Sequence, residues 1–344
     1  MRFSTALFTA LVFISNTTYA QVTPAPKAAP KPAVTKAKPA SSSAKAPIAQ
    51  SKPTVLFEGY SKIMSAGVHV GYTVGRYEFD PATKRFKATT FIRTGQLGAD
   101  IMESLKAECD EKFGPIRYEY TSIMGKQIKT IDAKFNRVTS PAVKGKPGKI
   151  KLQMVAVVKE GNNSRTIRKD LEDGTFLSGF LVYLMLQSKQ GIQTNANYQY
   201  KAIAEEDAEV HNGEARVDKQ EKFNGVDTFK INNTFKNVTF AAYVTDRGEV
   251  MATKSPAVSI ATELVGKSSD AVGALGLASG VLKSLFGEVP TGMENVVSRT
   301  MIAESKPVVI PSDPKKDGVP GGQGIILKSQ GASGDPSAAP KEVQ

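Results

Sequence analysis

The chain has one cysteine, two histidines and no tryptophan in 344 residues. A lone cysteine, Cys109, excludes an internal disulfide and a cysteine-based zinc site. Two histidines, His69 and His211, leave little for a histidine-rich metal centre. No apolar run reaches the roughly 20 residues of a membrane-spanning helix. Catalytic signatures are missing too: there is no GxSxG, no HExxH, no P-loop and no GxGxxG between a strand and a helix. Residues 21–53 contain no acid at all. What is present still supports a folded protein, since 40% hydrophobic residues is enough for a core.

Both ends read as separate from that core. Arg2 gives a short basic start, and residues 3–15 are apolar but too short to span a bilayer. Thr18-Tyr19-Ala20 then offers small residues at a cleavage site before Gln21. This pattern predicts a cleaved signal peptide over 1–20, against the alternative of an uncleaved anchor. Gln rather than Cys at position 21 means that no lipid would be attached there. The mature protein is therefore expected to be exported and soluble, periplasmic or extracellular, in a bacterium.

Residues 21–53 hold seven Pro and six Lys among many Ala and Ser. Such a segment buries no core and favours an extended linker. At about 3.1 Å per residue its reach is on the order of 100 Å. Setting aside Arg2 and those six Lys leaves 38 bases against all 33 acids, so residues 54–344 carry +5 of the formal +12. The linker reads first as a solvated spacer kept soluble by its Lys, with a weak tether to an anionic envelope polymer as the functional alternative. Nucleic acid is a poor partner, because no basic and aromatic stacking platform is present. Beyond residue 305, repeated Pro and Gly predict a disordered tail, within which Ile325-Ile326-Leu327 is a weak candidate for an added strand.

Residues 54–305 then form one β-rich domain. Val68, Val70, Tyr72 and Val74 alternate with smaller or polar residues. Phe86 to Ile92, Ile116 to Tyr120, Ile128 to Lys134 and Ile150 to Val158 continue that period of two. Asn224-Gly225 is the strongest hairpin signal, because both residues tolerate positive φ. About ten strands with short connections imply a large antiparallel meander, mainly β with minor α, covered by one or two helices. Residues 176–187 are almost wholly apolar and predict a short buried helix rather than a strand. Residues 257–286 predict a helix broken by Gly266, Gly273, Gly276 and Gly280. That helix reads either as a cover for the sheet or as an apolar face for a partner, ligand or bilayer surface.

No constellation carries catalysis. Cys109 sits between Glu108 and Asp110, which suppress the thiolate a nucleophile needs. Glu205, Glu206, Asp207, Glu209 and His211 are the best metal candidate, since 205, 207, 209 and 211 would share one face of a strand. The alternative is a solvated acidic loop before Asn212-Gly213. Asp100 with Glu103, and Asp170 with Asp173, would face together on a helix, as surface pairs commonly do. Asn162, Asn232 and Asn237 fit N-x-Ser/Thr, which matters only in a glycosylating host.

The stretch Gly67-Val68-His69-Val70-Gly71-Tyr72 resembles the early strand motif of bacterial envelope β-domains. Asp246-Arg247-Gly248-Glu249-Val250-Met251, followed by Ser255-Pro256 and Glu263-Leu264, resembles their late motif. Similar domains occur as DUF3108-like periplasmic proteins and beside transglutaminase-like domains. The resemblance implies a curved, half-barrel-like sheet related in shape to the lipoprotein carriers LolA and LolB. The Cys-His-Asp core of the transglutaminase-like partner is not recognisable here, so no catalysis is carried over.

Three functions are expected from these readings. One is a non-enzymatic, cofactor-free carrier with a groove for a lipid or other apolar ligand, formed by Phe176, Phe180, Tyr183, Leu184, Leu275, Leu282 and Phe286. Another is an assembly factor that docks protein partners. The third is a metal-dependent hydrolase built on residues 205–211.

Overall fold

The computed structural model describes residues 52–95, 100–139 and 150–305. The expected signal peptide, nearly all of the linker and the tail with its Ile-Ile-Leu stretch lie outside the described residues. The first run of strands is β1 (Thr54–Ser65), β2 (Val68–Asp80), β3 (Arg85–Thr94), β4 (Ile101–Asp110), β5 (Pro115–Met124), β6 (Gln127–Thr139), β7 (Ile150–Glu160) and β8 (Asn163–Leu171). Each pairs antiparallel with the next. Next come the two-residue β9 (Phe176–Leu177), a 3-10 turn and helix α1 (Leu181–Gln187). A second antiparallel run follows: β10 (Asn197–Ala204), β11 (Glu209–Phe223), β12 (Val226–Phe235), β13 (Val238–Val244), β14 (Val250–Ser255) and β15 (Ile260–Val265). Helices α2 (Ser268–Val272), α3 (Ser279–Phe286) and α4 (Val296–Ser305) complete the domain.

β15 pairs with β1, so the two runs fuse into one sheet of fifteen strands. β1 and β15 lie at its centre, and β8 and β9 form its edges. Yet only residues 172–175 connect those two edges. A stretch of that length spans at most about 18 Å. The sheet must therefore curl until its edges come near each other. It does not close into a barrel, because β8 and β9 share no ladder. An ion pair of 2.6 Å from Lys169 on β8 to Glu209 on β11 reaches across the seam.

The curl encloses the main core. Tyr118, Ile131 and Met154 from one run meet Val217, Ile231 and Phe235 from the other. Phe176, Phe180 and Met185 from the β9–α1 segment pack into the same core. The alternation read in β2, β5, β6 and β7 is thus the alternation between the enclosed and the outer face.

Three expectations need correction. About ten strands were expected, and fifteen are present among the described residues. β1, β4, β9, β10 and β15 are the additions. The broken helix expected over 257–286 begins only at Ser268; Ile260–Val265 is a strand. Ile260 and Leu264 are spaced to fit a helix, but the ladder with β1 decides. The facing pairs expected on helices also fail: Glu103 lies in β4 and Asp170 in β8.

Candidate functional site

β1, β2 and β3 carry different chemistry on their two faces. Gly59 opposes Gly75, and Gly75 opposes Thr90. Their neighbours Ser61, Thr73, Phe57 and Tyr77 share the inner face. On the outer face stand Tyr60, Tyr72, Val74 and Phe91, which pack against Ala271, Val272 and Leu282 of the C-terminal helices.

The inner face is not filled. A cavity of about 150 Å³ lies between it and α1. Its walls are β1–β3 on one side, Phe240, Ala242 and Val250 on another, and Gly179, Val182 and Tyr183 from the α1 segment. Gly59, Gly75, Gly179 and Gly248 line it without side chains; a Cβ would find room at Gly75 and Gly179, whereas at Gly59 it would meet Leu264 and Phe57 and at Gly248 Leu186. A Cβ on Gly75 would come no closer than 3.6 Å to Phe57 and Thr90, so packing does not require glycine there. The α1 segment is fixed over the cavity by Tyr77, whose hydroxyl donates to Gly179 O at 2.9 Å. The Tyr77 ring also meets those of Phe180 and Tyr183 edge-on or tilted. Burial pushes the Tyr77 hydroxyl pKa up, with the nearby Glu205 charge adding to it, so this hydroxyl remains a donor.

A second, smaller chamber of about 20 Å³ is lined by Thr90, Ile92, Glu103, Ser104, Leu105, Tyr120, Glu205 and Glu206. Thr90 lines both spaces. Three carboxyl groups therefore line this smaller space. Glu103 Oε1 accepts from Tyr120 at 2.8 Å and from Ser122 at 3.3 Å. Glu205 accepts from Ser178 Oγ at 2.6 Å and from Gly179 N at 3.2 Å. Glu206 pairs with Lys236 at 2.7 Å. Burial raises all three: Glu205 to about 7, Glu206 well above the usual carboxylate range, and Glu103 upward against its two hydrogen bonds. Burial would also raise Asp207, but its hydrogen bond with His211 and the Lys236 charge hold it below the ordinary value.

The predicted groove residues do not form one groove. Phe176, Phe180, Tyr183 and Leu184 belong to the enclosed core. Leu275, Leu282 and Phe286 pack on the outer cluster around Tyr60 and Tyr72. The sheet runs between the two groups: Tyr77 of β2 faces Phe180, whereas Tyr72 Oη accepts from Ala278 N, just before α3. Of the seven, only Tyr183 lines the 150 Å³ cavity.

The acidic candidates are also rearranged. Residues 205–208 form a turn between β10 and β11, so positions 205 to 211 do not share a strand face. Lys236, only 6% exposed at its side chain, is committed to both Glu206 and Asp207. Among the described residues, no group of three His, Cys, Asp or Glu side chains is placed to hold a metal ion. Cys109 is fully buried, and burial, followed by the charges of Asp110 and Glu108, raises its pKa far above the thiolate range. Glu103 was singled out in the sequence only as a surface partner of Asp100, and Gly59, Gly75 and Thr90 not as site residues at all, because their meeting depends on strand register.

No protein-family model matches the chain, so the DUF3108-like resemblance rests on its short motifs alone. No curated protein matches it either. A solved structure described as a β-barrel-like protein of the domain of unknown function DUF1849 from Brucella abortus is similar to this chain. That match covers 62% of this chain and 98% of the other, at 14% identity and a TM-score of 0.37.

Proposed function

We propose that the chain is an exported, non-enzymatic binding or carrier protein of the bacterial envelope. It holds one apolar or amphiphilic molecule inside the curled sheet. The supporting observation is the 150 Å³ cavity between the inner face and α1. Protein interiors normally pack to crystal-like density. Here a space stays open between the inner face of β1–β3 and α1. A buried water needs about 10–15 Å³ on this measure, so the cavity admits roughly ten groups of water or methylene size. That suits a single acyl chain and excludes a whole two-chain lipid. An assembly factor that docks proteins on its surface would not need an open interior. In this proposal the six lysines of the linker keep the carrier near anionic envelope polymers.

The test is native mass spectrometry of the full chain isolated gently from its own host. The expected spectrum shows an adduct of a few hundred daltons that disappears on denaturation. Gly75→Leu is the paired variant, because its Cβ is accommodated and its remaining carbons enter the cavity. Gly75→Leu should abolish the adduct while the far-ultraviolet circular dichroism stays native. An adduct-free wild type, or an adduct retained by folded Gly75→Leu, overturns the proposal.

A further inference from the structure

We propose that the molecule held inside is uncharged and ends in a head of neighbouring hydroxyl groups, which bond to Ser61 and Thr73, with its hydrocarbon toward Phe57, Tyr77 and Tyr183. This inference rests on the interior-binding reading and names the chemistry of its ligand. Strand register carries it. Ser61 on β1 stands directly opposite Thr73 on β2. Two residues along, Gly59 faces Gly75, and two further on Phe57 faces Tyr77. All six line the 150 Å³ cavity. The wall thus passes from hydroxyls through bare glycine to aromatic rings over four residues, about 13 Å at the rise of a strand. Tyr183, whose ring lies 5.0 Å from that of Tyr77, adds to the aromatic end.

A second observation shows that the polar end lacks partners. Neither Ser61 Oγ nor Thr73 Oγ1 makes a hydrogen bond among the described residues. Unlike Thr90 Oγ1, which is sealed off, both oxygens keep accessible surface, and both residues are half-buried. Their strand neighbours Tyr60 and Tyr72 belong to the outer cluster, so Ser61 and Thr73 turn to the inner side. Thr253 and Thr262 line the same cavity but satisfy each other, Oγ1 to Oγ1, at 2.8 Å. A free hydroxyl offers one hydrogen and two lone pairs. Directly opposed residues of an antiparallel pair stand about 5 Å apart at Cβ, so two neighbouring hydroxyls of one ligand can engage both side chains.

The cavity sets the charge of its ligand as well. Among the described residues that line it there is no Asp, Glu, Lys, Arg or His. Its two phenols, Tyr77 and Tyr183, are pushed up by burial and stay neutral. A carboxylate or ammonium head brought inside would lose its water and meet no opposite charge. A hydroxylated head exchanges hydrogen bonds to water for hydrogen bonds to Ser61 and Thr73, and carries no such penalty.

The experiment is isothermal titration of the full chain at pH 7 with 1,2-octanediol, 1-octanol, octanoate and octylamine, each below its aggregation concentration. The diol should bind at least tenfold more tightly than octanoate or octylamine, and at least threefold more tightly than octanol. Ser61→Ala combined with Thr73→Val removes both hydroxyls at little change of shape. This double variant should bind octanol within twofold of wild type and the diol no better than octanol. Gly75→Leu, which fills the same cavity, should bind none of the four. If octanoate or octylamine matches the diol, the neutral assignment fails while the interior site stands. If the diol binds no better than octanol, or the double variant keeps the preference, the hydroxyl assignment fails and the interior site again stands. If none of the four binds wild type, or folded Gly75→Leu binds them all, both readings fall.

Discussion

The two faces of β1–β3 show one stretch of backbone built for opposite ends. On the outer face, Tyr60, Tyr72, Val74 and Phe91 are closed over by Ala271, Val272 and Leu282 in one buried cluster. A buried ion pair adds to the closure: Arg76 Nε donates to Glu58 at 2.6 Å, and its guanidinium also reaches Glu288 at 3.0 Å. Glu58 Oε1 accepts from Thr291 at 3.0 Å and Gly292 N at 2.7 Å, which binds the stretch before α4 to the sheet. Tyr60 donates to Pro290 O at 2.9 Å, and burial together with the Glu58 charge pushes its pKa up to about 12. On the inner face, one residue away at every step, stand Gly59, Ser61, Thr73 and Gly75. Large and small side chains alternate along the same strands, so volume is spent outside and withheld inside. The outer face is a fastening and the inner face borders an open space.

The contrast can be broken most severely at its fastened side. Arg76→Ala leaves the Glu58 carboxylate, a residue only 4% exposed, without its cation. Removing one member of a buried pair costs about 3–5 kcal/mol. Urea denaturation should show a loss in that range, and a loss below about 1 kcal/mol would mean that the pair is not a fastening at all. A smaller effect should separate the two faces directly. Leu282→Ala empties a filled position and should cost about 3 kcal/mol. Val182→Ala only enlarges a space that already exists and should cost less than about 1 kcal/mol. Equal losses would show the inner face to be packed as tightly as the outer.

The pH dependence tests the inner side alone. Glu205 has a folded-state pKa of about 7, above the roughly 4.3 of an unfolded chain. Below the unfolded value both states hold the proton, and the group adds no pH dependence. Between the two values the folded state keeps a proton that the unfolded state gives up, so stability falls as pH rises. Above the folded value the loss is complete, on the order of 3 kcal/mol. Thermal unfolding from pH 4.5 to 8 should therefore show a steeper decline for wild type than for Glu205→Gln. Parallel profiles would place Glu205 in water rather than in the chamber.

The large curved antiparallel sheet was legible from periodicity, because half-buried strands write their two faces into alternate residues. β2, β3, β5, β6 and β7 announce themselves in this way. β1 was harder to see, since Gly59 and Ser61 break its apolar pattern where it walls the cavity. β15 was hidden because its spacing satisfies two periods and only its ladder with β1, some 200 residues earlier in the chain, selects one. The apolar character of 176–187 was read correctly, although its helix begins only at Leu181 after a two-residue strand and a 3-10 turn; its union with Leu275, Leu282 and Phe286 into one groove was not. Which face a segment covers depends on the path of the chain around the sheet, and local pattern carries no record of that path. The carboxyl chamber was half visible. Glu205 and Glu206 stood out as a cluster, but Glu103 joins them only through strand register and curl.

The pairing of β1 with β15 also sets an order of assembly. Each run can grow by neighbouring hairpins, which close short loops at low entropic cost. Their join cannot form until the last strand has been made, because it links Tyr60 to Val265 and Ser65 to Ile260. Contacts of that separation form slowly. Until β15 arrives, β1 presents a bare ladder edge, the kind of template that recruits a strand from another molecule. A chain that ends before Ile260 would keep that edge permanently. It should therefore polymerise edge to edge, although most of its hairpins could still form.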